Sequence, residues 1–376
     1  IEGHGVNMTA ISEVSKLSWR AIENDYTLDQ YEEELEKIRT RKRNYTPWQV
    51  AIGAGFACGG FCIQFGCDWM AFLYASIAAI IGMRVRAKCN ESGLNHYMGI
   101  AISAFIATML AWASTLLPAE WTSTPWHPLL ACALFIVPGV PLINFVDDML
   151  DNYIQVGIVR AVNTLLMVSA MAFGIAFAVK LCSIGDFFPT ISMVPNHNYM
   201  EYAIAAAISA MGFSMIFNIQ RRLLWVVAIG GIIAVCTRNF VNLGPSTNNI
   251  GLDMGLVIGS FSGSVLVSLI AIKAVHWFHV PNHVLTIPSV IPMIPGVLMY
   301  RMLFGLINMN VQSIDQVTPL MKAIESGVNS GLVIMCIALG VAIPNIFGRK
   351  YIASSKNKRL AEILKERKAR GKFVEW

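Results

Sequence analysis

Long apolar stretches occupy the middle of this chain, whereas both ends are polar. A membrane-spanning helix needs about 20 consecutive apolar residues, and ten segments meet or approach that length. The fourth and ninth segments are interrupted by proline and glycine. The pattern predicts an all-α polytopic membrane protein with about ten transmembrane helices. The ten segments are residues 47–66, 69–84, 97–117, 128–145, 160–181, 200–218, 222–237, 250–272, 284–302 and 325–347.

The polar ends predict separate cytoplasmic elements. In residues 1–46, Met8, Ile11 and Leu17 recur at helical spacing, and Thr27 opens a capping-box pattern, so we predict two amphipathic helices there. Residues 349–376 are rich in lysine and arginine and form a basic cytoplasmic tail. The chain begins without a methionine, which leaves open whether further residues precede it.

The composition supports membrane embedding. Hydrophobic residues make up 55% of the chain and charged residues 14%, against about 25% charged in ordinary soluble domains. These values exclude a disordered chain, a nucleic-acid-binding module and a disulfide-rich secreted domain. The net charge of +5 comes mostly from the tail, so a membrane surface is the expected partner of the positive charge, and no nucleic acid is expected. A homo-oligomer remains compatible with the sequence.

The distribution of basic residues orients the chain. With the N-terminus in the cytoplasm, 24 lysines and arginines fall on the inner side and four on the outer side. Because cytoplasmic loops carry the excess of basic residues, this split predicts ten spans with both termini cytoplasmic. The protein is then a multi-pass protein of the cell (inner) membrane, and residues 183–199 form an extracytoplasmic linker.

The membrane region repeats itself. Residues 51–65 resemble 203–217 at an offset of 152, and three later blocks match in order at offsets of 156, 157 and 166. The matches divide the region into repeats at 47–182 and 200–348, each with five predicted spans. Because five is odd, the second repeat enters the membrane inverted. Inverted repeats are typical of secondary transporters that work by alternating access.

Each repeat contains one interrupted helix at the corresponding place. The interruptions read VPGVPLINFVDD in 137–148 and IPSVIPMIPGVLMYR in 287–301. Corresponding Pro/Gly breaks indicate a substrate site near the membrane midplane, and simple kinks are the alternative. Asn144, Asn163, Ser289 and Asn329 are candidate ligands nearby, although the asparagines could equally join helices by hydrogen bonds.

Charged residues gather at the predicted cytoplasmic end of the first broken helix. Asp147, Asp148 and Asp151 lie close to Arg160 at the start of the next helix. An Asp148–Arg160 pair could be a gate, a proton site or a surface ion pair, and the sequence leaves these alternatives open.

Several enzyme and metal motifs are incomplete. Pro281 breaks the helical spacing of the neighbouring histidines, and Cys58 and Cys62 lack further ligands, so no metal site is predicted. Phe261 occupies the serine position of a nucleophile-elbow pattern. Without a nucleophile–base pair, phosphate loop or dinucleotide motif, we predict neither an enzyme nor a cofactor.

Three segments resemble the threonine/serine exporter family. They are GVNMTAISEVSKLSW (5–19), PGVPLINFVDDMLDNYIQVGIVRAVN (138–163) and HVPNHVLTIPSVIPMIPGVLMYR (279–301). The likeness covers both membrane halves, which some relatives encode as two proteins. Asp147 is a departure, because relatives often have a basic residue there.

The resemblance implies export of threonine, serine or a similar small polar metabolite, driven by the proton motive force. Succinate export by two-protein relatives makes a small dicarboxylate the alternative, and a passive channel is the rival without coupling. The expected partners are the substrate, protons and the lipid bilayer. The positions carried over from the family are Pro138, Gly139, Pro141, Asn144, Asp148, Gly157, Arg160, Pro292, Pro295 and Gly296.

Overall fold

A computed structural model describes residues 6–116, 118, 120–182, 198–245, 250–307 and 317–369. Every regular element in these ranges is helical. The α-helices are α1 (Met8–Asn24), α2 (Leu28–Arg39), α3 (Pro47–Gln64), α4 (Trp69–Glu91), α5 (His96–Trp112), α6 (Pro128–Ala131), α7 (Gly139–Leu150), α8 (Ile154–Leu181), α9 (Tyr199–Ile216), α10 (Leu224–Asn242), α11 (Leu256–Phe278), α12 (Asn282–Val290), α13 (Gly296–Ile307) and α14 (Val317–Ala369). Short 3-10 turns follow α5, α6 and α12 and precede α10.

Seven helical segments in the described ranges are long and apolar enough to cross a membrane. Two further pairs, Pro128–Ile136 with Gly139–Leu150 and Asn282–Met293 with Gly296–Leu303, qualify together and are each bent by 57°. The total is nine if each bent pair is one span. An all-α, multi-pass membrane protein with two broken helices is therefore confirmed, whereas ten spans in an inverted repeat remain a prediction.

The first predicted span corresponds to α3, which falls short of the hydropathy of the other spans. Its start is well defined, because Thr46 and Gln49 form a reciprocal capping box and Pro47 occupies the first turn. Glycines let α3 approach α9 closely: a Cβ added at Gly212 would lie 2.4 Å from the Gly53 carbonyl oxygen. Ser209 also donates a hydrogen bond to the Ala57 carbonyl at 2.8 Å. The leading helices of the two repeats thus pack directly on each other.

The packing of one half is repeated in the other. Helix α5 packs on α8 as α11 packs on α14, and α7 packs on α8 as α13 packs on α14. Contacts between the halves are also paired, because α13 lies against α8 and α7 lies against α14. The internal repeat of the sequence is therefore matched by a repeated arrangement of helices.

The N-terminal helix pair docks on the loop between α9 and α10. The centre of the contact is Asn218, whose φ of 56° is left-handed. Its side chain accepts a hydrogen bond from Asn44 N–H at 2.8 Å and donates one to Asn7 Oδ1 at 2.8 Å, and its carbonyl accepts one from Thr9 Oγ1 at 2.5 Å. Met8 is 1% exposed and belongs to the same core as the membrane helices. Both predicted N-terminal helices are present and fixed to the second half.

The variant Asn218→Gly should loosen this docking without straining the backbone. Glycine accepts a positive φ at no steric cost, and Gly66, at the matching place of the first repeat, has φ 88°. Loss of two side-chain hydrogen bonds should destabilise the docked pair by about 1–3 kcal/mol and accelerate tryptic cleavage within α2. Asn152→Gly is the matched control, because Asn152 is also left-handed at φ 67°. Equal cleavage rates in the two variants would contradict a docking role for the Asn218 side chain.

Two predicted segments lie partly outside the described residues. Of the linker 183–199, residues 183–197 are not described. Of the tail 349–376, residues 370–376 are not described, and α14 continues through the predicted start of the tail to Ala369.

Candidate functional site

The two breaks have the same backbone geometry. In the first, Gly139 N–H lies 2.8 Å from the Val137 carbonyl oxygen, and Leu142 N–H donates to the Pro138 carbonyl at 3.0 Å. In the second, the corresponding distances are 2.9 Å from Gly296 to Ile294 and 3.2 Å from Met299 to Pro295. Each break therefore ends one helical run in a tight turn and begins a new helix at a glycine.

The breaks contact each other reciprocally. A Cβ added at Gly139 would lie 2.8 Å from Ile294 Cδ1 of the second break. A Cβ added at Gly296 would lie 2.8 Å from Leu134 Cδ2 and 2.9 Å from Val137 Cγ2 of the first. The absence of a side chain at each glycine thus leaves room for apolar side chains from the break of the other half. Any larger residue at either position would push the halves apart.

A hydrogen bond joins the same two elements. Tyr300 on α13 donates from its hydroxyl group to the Leu130 carbonyl on α6 at 2.6 Å, and the tyrosine is 1% exposed. Leu130 lies in the short helix before the first break, so the bond ties the two broken helices together. Sequence reasoning missed Tyr300, whose only signal was a hydroxyl group in an apolar run one turn after a break.

Two helix N-termini begin where the breaks meet. Helix α7 starts at Gly139 and α13 at Gly296, and no side-chain hydrogen bond caps α7 at Pro138. The first N–H groups of a helix lack intrahelical partners, and the helix dipole makes this end favourable for anions. Gly139 and Gly296 already donate to the Val137 and Ile294 carbonyls, and Pro141 has no N–H. A ligand would therefore use the N–H groups of Val140, Val297 and Leu298. The surrounding Leu134, Val137 and Ile294 are buried and apolar. An apolar centre with two neighbouring helix N-termini suits a small solute that carries a carboxylate.

Most of the predicted Pro/Gly residues lie at this contact. Pro138, Gly139, Pro292 and Gly296 are buried, whereas Pro141, Asn144 and Pro295 are partly exposed. Outside the contact, a Cβ added at Gly157 would meet Met149 Cγ at 2.6 Å, so this glycine lets α8 pack closely on α7.

The other candidate ligands have different surroundings. Asn163 accepts a hydrogen bond from the Tyr97 hydroxyl group at 2.7 Å, which joins α8 to α5 and favours the interhelical alternative. Ser289 is buried beside Gly230 of α10 and donates to the Leu285 carbonyl at 2.7 Å. Asn329 is partly exposed on α14. Their roles as ligands remain predictions.

The predicted charged cluster connects both halves. Arg160 forms an ion pair with Asp148, and these side chains are 35% and 23% exposed. The neighbouring Asp147 has its Oδ2 3.9 Å from His283 Nε2 on α12 of the second half. Asp151 ends α7 and is partly exposed. Adjacent carboxylates therefore point to partners in different halves, which is a suitable arrangement for a gate.

No metal centre is visible in the part of the chain that the structure describes. No group of three or more His, Cys, Asp or Glu side chains there is placed to hold a metal ion. Cys58 and Cys62 are both buried, and Cys58 Sγ lies 3.8 Å from the Cys132 carbonyl oxygen.

Comparison with family models identifies both halves of the chain. The model described as "Putative threonine/serine exporter" matches residues 1–182, and the one described as "Threonine/Serine exporter, ThrE" matches residues 202–347. The chain belongs to the threonine/serine exporter family. Membership agrees with the many apolar helices and makes this protein a multi-pass membrane transporter.

Curated relatives of this exporter-family chain match about half of it. A "Probable succinate transporter subunit YjjP" of Klebsiella aerogenes is 27% identical over 177 residues, which are 47% of this chain and 67% of the relative. The protein of the same name from Escherichia coli K12 is 28% identical over 177 residues, 47% of this chain and 68% of the relative. No solved structure matches significantly.

Proposed function

We propose that this protein is a secondary active exporter of threonine, serine or a similar small polar metabolite, driven by the proton motive force through alternating access. The observation that carries the proposal is the reciprocal contact of the two breaks, in which Gly139 and Gly296 each receive apolar side chains of the other half. Because the contact closes the centre of the bundle, a solute can pass only when the broken helices separate.

A five-plus-five inverted repeat of ten spans fits this mechanism. Helix α9 qualifies as a span, and α3 is its counterpart in the first repeat and packs directly on it. If α3 crosses the membrane as α9 does, the count becomes ten. Two arrangements related by exchange of the halves would then open to opposite sides of the membrane.

The substrate would bind between the breaks. The N–H groups of Val140 on α7 and of Val297 and Leu298 on α13 would hold a carboxylate. The carbonyl groups that end the preceding helical runs would accept an ammonium or hydroxyl group. Asn144, in the second turn of α7, is the predicted side-chain ligand on the helix that begins at the first break. Asp148, Asp151 and Arg160 would couple opening to proton movement at the inner face.

A second candidate is export of a small dicarboxylate such as succinate. Two features favour it: the printed name of the YjjP relatives, and the presence of two helix N-termini that could each take one carboxylate.

Transport by purified protein in proteoliposomes tests the proposal. Vesicles loaded with unlabelled solute should accumulate the labelled form by counterflow, for serine and threonine in the first case and for succinate in the second. An imposed proton gradient should then drive uphill flux. Flux that only dissipates a solute gradient would indicate a passive channel, and no flux of any amino acid or dicarboxylate would refute the proposal.

Orientation in the inner membrane can be tested by cysteine labelling. We place both termini in the cytoplasm because of the basic-residue split, so α1 is inside and the α5–α6 connection is outside. In a background with alanine at the partly exposed Cys182, Cys236 and Cys336, Glu120→Cys should react with an impermeant thiol reagent in intact cells. Ser18→Cys should react only after permeabilisation. The opposite pattern would reverse the proposed orientation.

A further inference from the structure

A pair of buried amides lies at the start of α12. Asn282, the first residue of that helix, donates a hydrogen bond from Nδ2 to Asn345 Oδ1 on α14. The two residues are only 9% and 8% exposed. Within the described residues, Asn282 Oδ1 and Asn345 Nδ2 have no hydrogen-bond partner. A buried polar atom without a hydrogen-bond partner destabilises the fold by about 1–3 kcal/mol. The pair is therefore destabilising unless a ligand forms hydrogen bonds with both atoms.

The pair offers one donor and one acceptor. When one side-chain amide donates a hydrogen bond to another, the oxygen of the donating residue and the nitrogen of the accepting residue are left without a partner. Exchanging the oxygen and nitrogen positions of both side chains gives the same result, so the conclusion does not depend on their assignment. A ligand that satisfies both atoms must itself carry an acceptor and a donor.

The surroundings of the pair add charge of both signs. Pro281 precedes α12 and provides no side-chain cap, which leaves the first N–H groups of this helix oriented for an anion. The next residue, His283, has Nε2 3.9 Å from the Asp147 carboxylate of the first half. The start of α12 therefore presents N–H donors and an amide donor beside an amide acceptor and a carboxylate.

We infer that Asn282 and Asn345 form a specificity-determining subsite for small α-amino or hydroxy acids. The ligand carboxylate would meet the N–H groups and the free amide nitrogen, and its ammonium or hydroxyl group would meet the free amide oxygen. A dianionic dicarboxylate carries only acceptors and would leave that oxygen unsatisfied. The inference rests on the proposed function and separates its two substrate classes.

The subsite is closed in this conformation. Both free atoms lack solvent-exposed surface, so a ligand reaches them only when α12 and α14 move apart. Alternating access requires movement of this kind, because α12 is the first half of a broken helix. With both termini cytoplasmic, the start of α12 lies at the inner face, where an exported solute enters.

Direct binding to purified protein tests the subsite. The double variant Asn282→Leu/Asn345→Leu replaces both amides with apolar groups of similar size and leaves no orphaned partner, so it should fold. We expect serine binding at least tenfold weaker than in the wild type and a smaller loss for succinate, because only serine uses the amide oxygen as well as the amide nitrogen. Ser268→Ala is the matched control: it removes another hydrogen bond to α14, from Ser268 Oγ to the Val341 carbonyl at 3.0 Å, and should bind serine normally.

A second variant guards against misfolding of the first. Asn345→Asp keeps the side-chain size but replaces the amide donor with a negative charge. Serine binding should fall at least tenfold, whereas 2-aminoethanol, which lacks the carboxylate, should compete better than it does in the wild type. Thermal unfolding of each detergent-purified variant verifies that it is folded.

The outcomes separate the inference from the proposed function. Wild-type serine affinity in the double variant would overturn the subsite and leave the exporter proposal intact. Parallel loss of serine and succinate binding would overturn the donor–acceptor argument. A wild-type protein that binds none of these ligands would overturn the proposed function, and this inference with it.

Discussion

Leucine at Gly139 or Gly296 should abolish transport while the protein still inserts into the membrane. The Cβ atom alone would lie 2.8 Å from Ile294 Cδ1 at Gly139 and 2.8 Å from Leu134 Cδ2 at Gly296. Three further carbons would fill the centre between the breaks, where overpacking costs about 1–3 kcal/mol and prevents the halves from meeting. Counterflow of serine and succinate measures the loss, and labelling at the cell surface measures insertion.

Gly331→Leu is the matched control for both variants. Gly331 lies on α14, and a Cβ added there has no atom within 4 Å. The same exchange in an apolar helix should therefore leave transport close to the wild-type rate. Transport retained in both break variants would show that the breaks are only kinks and that the substrate binds elsewhere.

A compensating pair sharpens this test. Gly139→Ala adds only the Cβ, and the atom it meets is the terminal carbon of Ile294. We expect a partial loss of transport. Ile294→Val removes that carbon, so the Gly139→Ala/Ile294→Val double variant should recover most of the rate. Failure of this rescue would argue against a direct Gly139–Ile294 contact during transport.

The second large effect is expected at Asp148. Asp148→Asn should reduce gradient-driven export at least tenfold while counterflow, which needs no net proton movement, continues. The change leaves Arg160 without a charged partner. The Asp147–His283 contact between the halves is unchanged, but its neighbouring carboxylate has become a neutral amide. The ion pair is partly exposed and is worth about 0–1 kcal/mol, so folding should persist.

Asp253→Asn provides the control for the loss of one carboxylate. Asp253 has φ 54° in the turn before α11, a conformation that asparagine also tolerates. This variant should export with normal dependence on the gradient. If Asp148→Asn does so as well, the proton site lies elsewhere, and Asp151 becomes the next residue to change.

The sequence predicted the local features of this fold correctly. Apolar runs located the helices, because a chain in lipid must satisfy its backbone groups within each helix. Proline and glycine located both breaks, since Pro138 and Pro295 directly precede new helix starts and Pro292 lies in a tight turn. Adjacent charges in successive helices also predicted the Asp148–Arg160 pair. In each case, residues near one another in sequence were sufficient.

The sequence predicted less about which side chains meet across the bundle. Asn163 and Asn329 were chosen because they occupy matching positions in the two repeats. Their partners depend on neighbouring helices, and Asn163 contacts Tyr97, 66 residues away. Repeat symmetry relates positions in the two halves, but it does not make their surroundings identical.

By itself, the sequence determined an all-α, multi-pass membrane protein with a broken helix in each half, because composition, periodicity and Pro/Gly placement are local properties. Its resemblance to the threonine/serine exporter family, and not these local properties, indicated a transporter. Only the tertiary structure decided that Gly139 packs against side chains of the second break and Gly296 against side chains of the first. It also decided that the Tyr300 hydroxyl group bonds to the Leu130 carbonyl. It alone paired Asn282 with Asn345 and placed Asn218 under the N-terminal helices. These partners are 63 to 211 residues apart, and helix packing, which no local spacing encodes, brings them together.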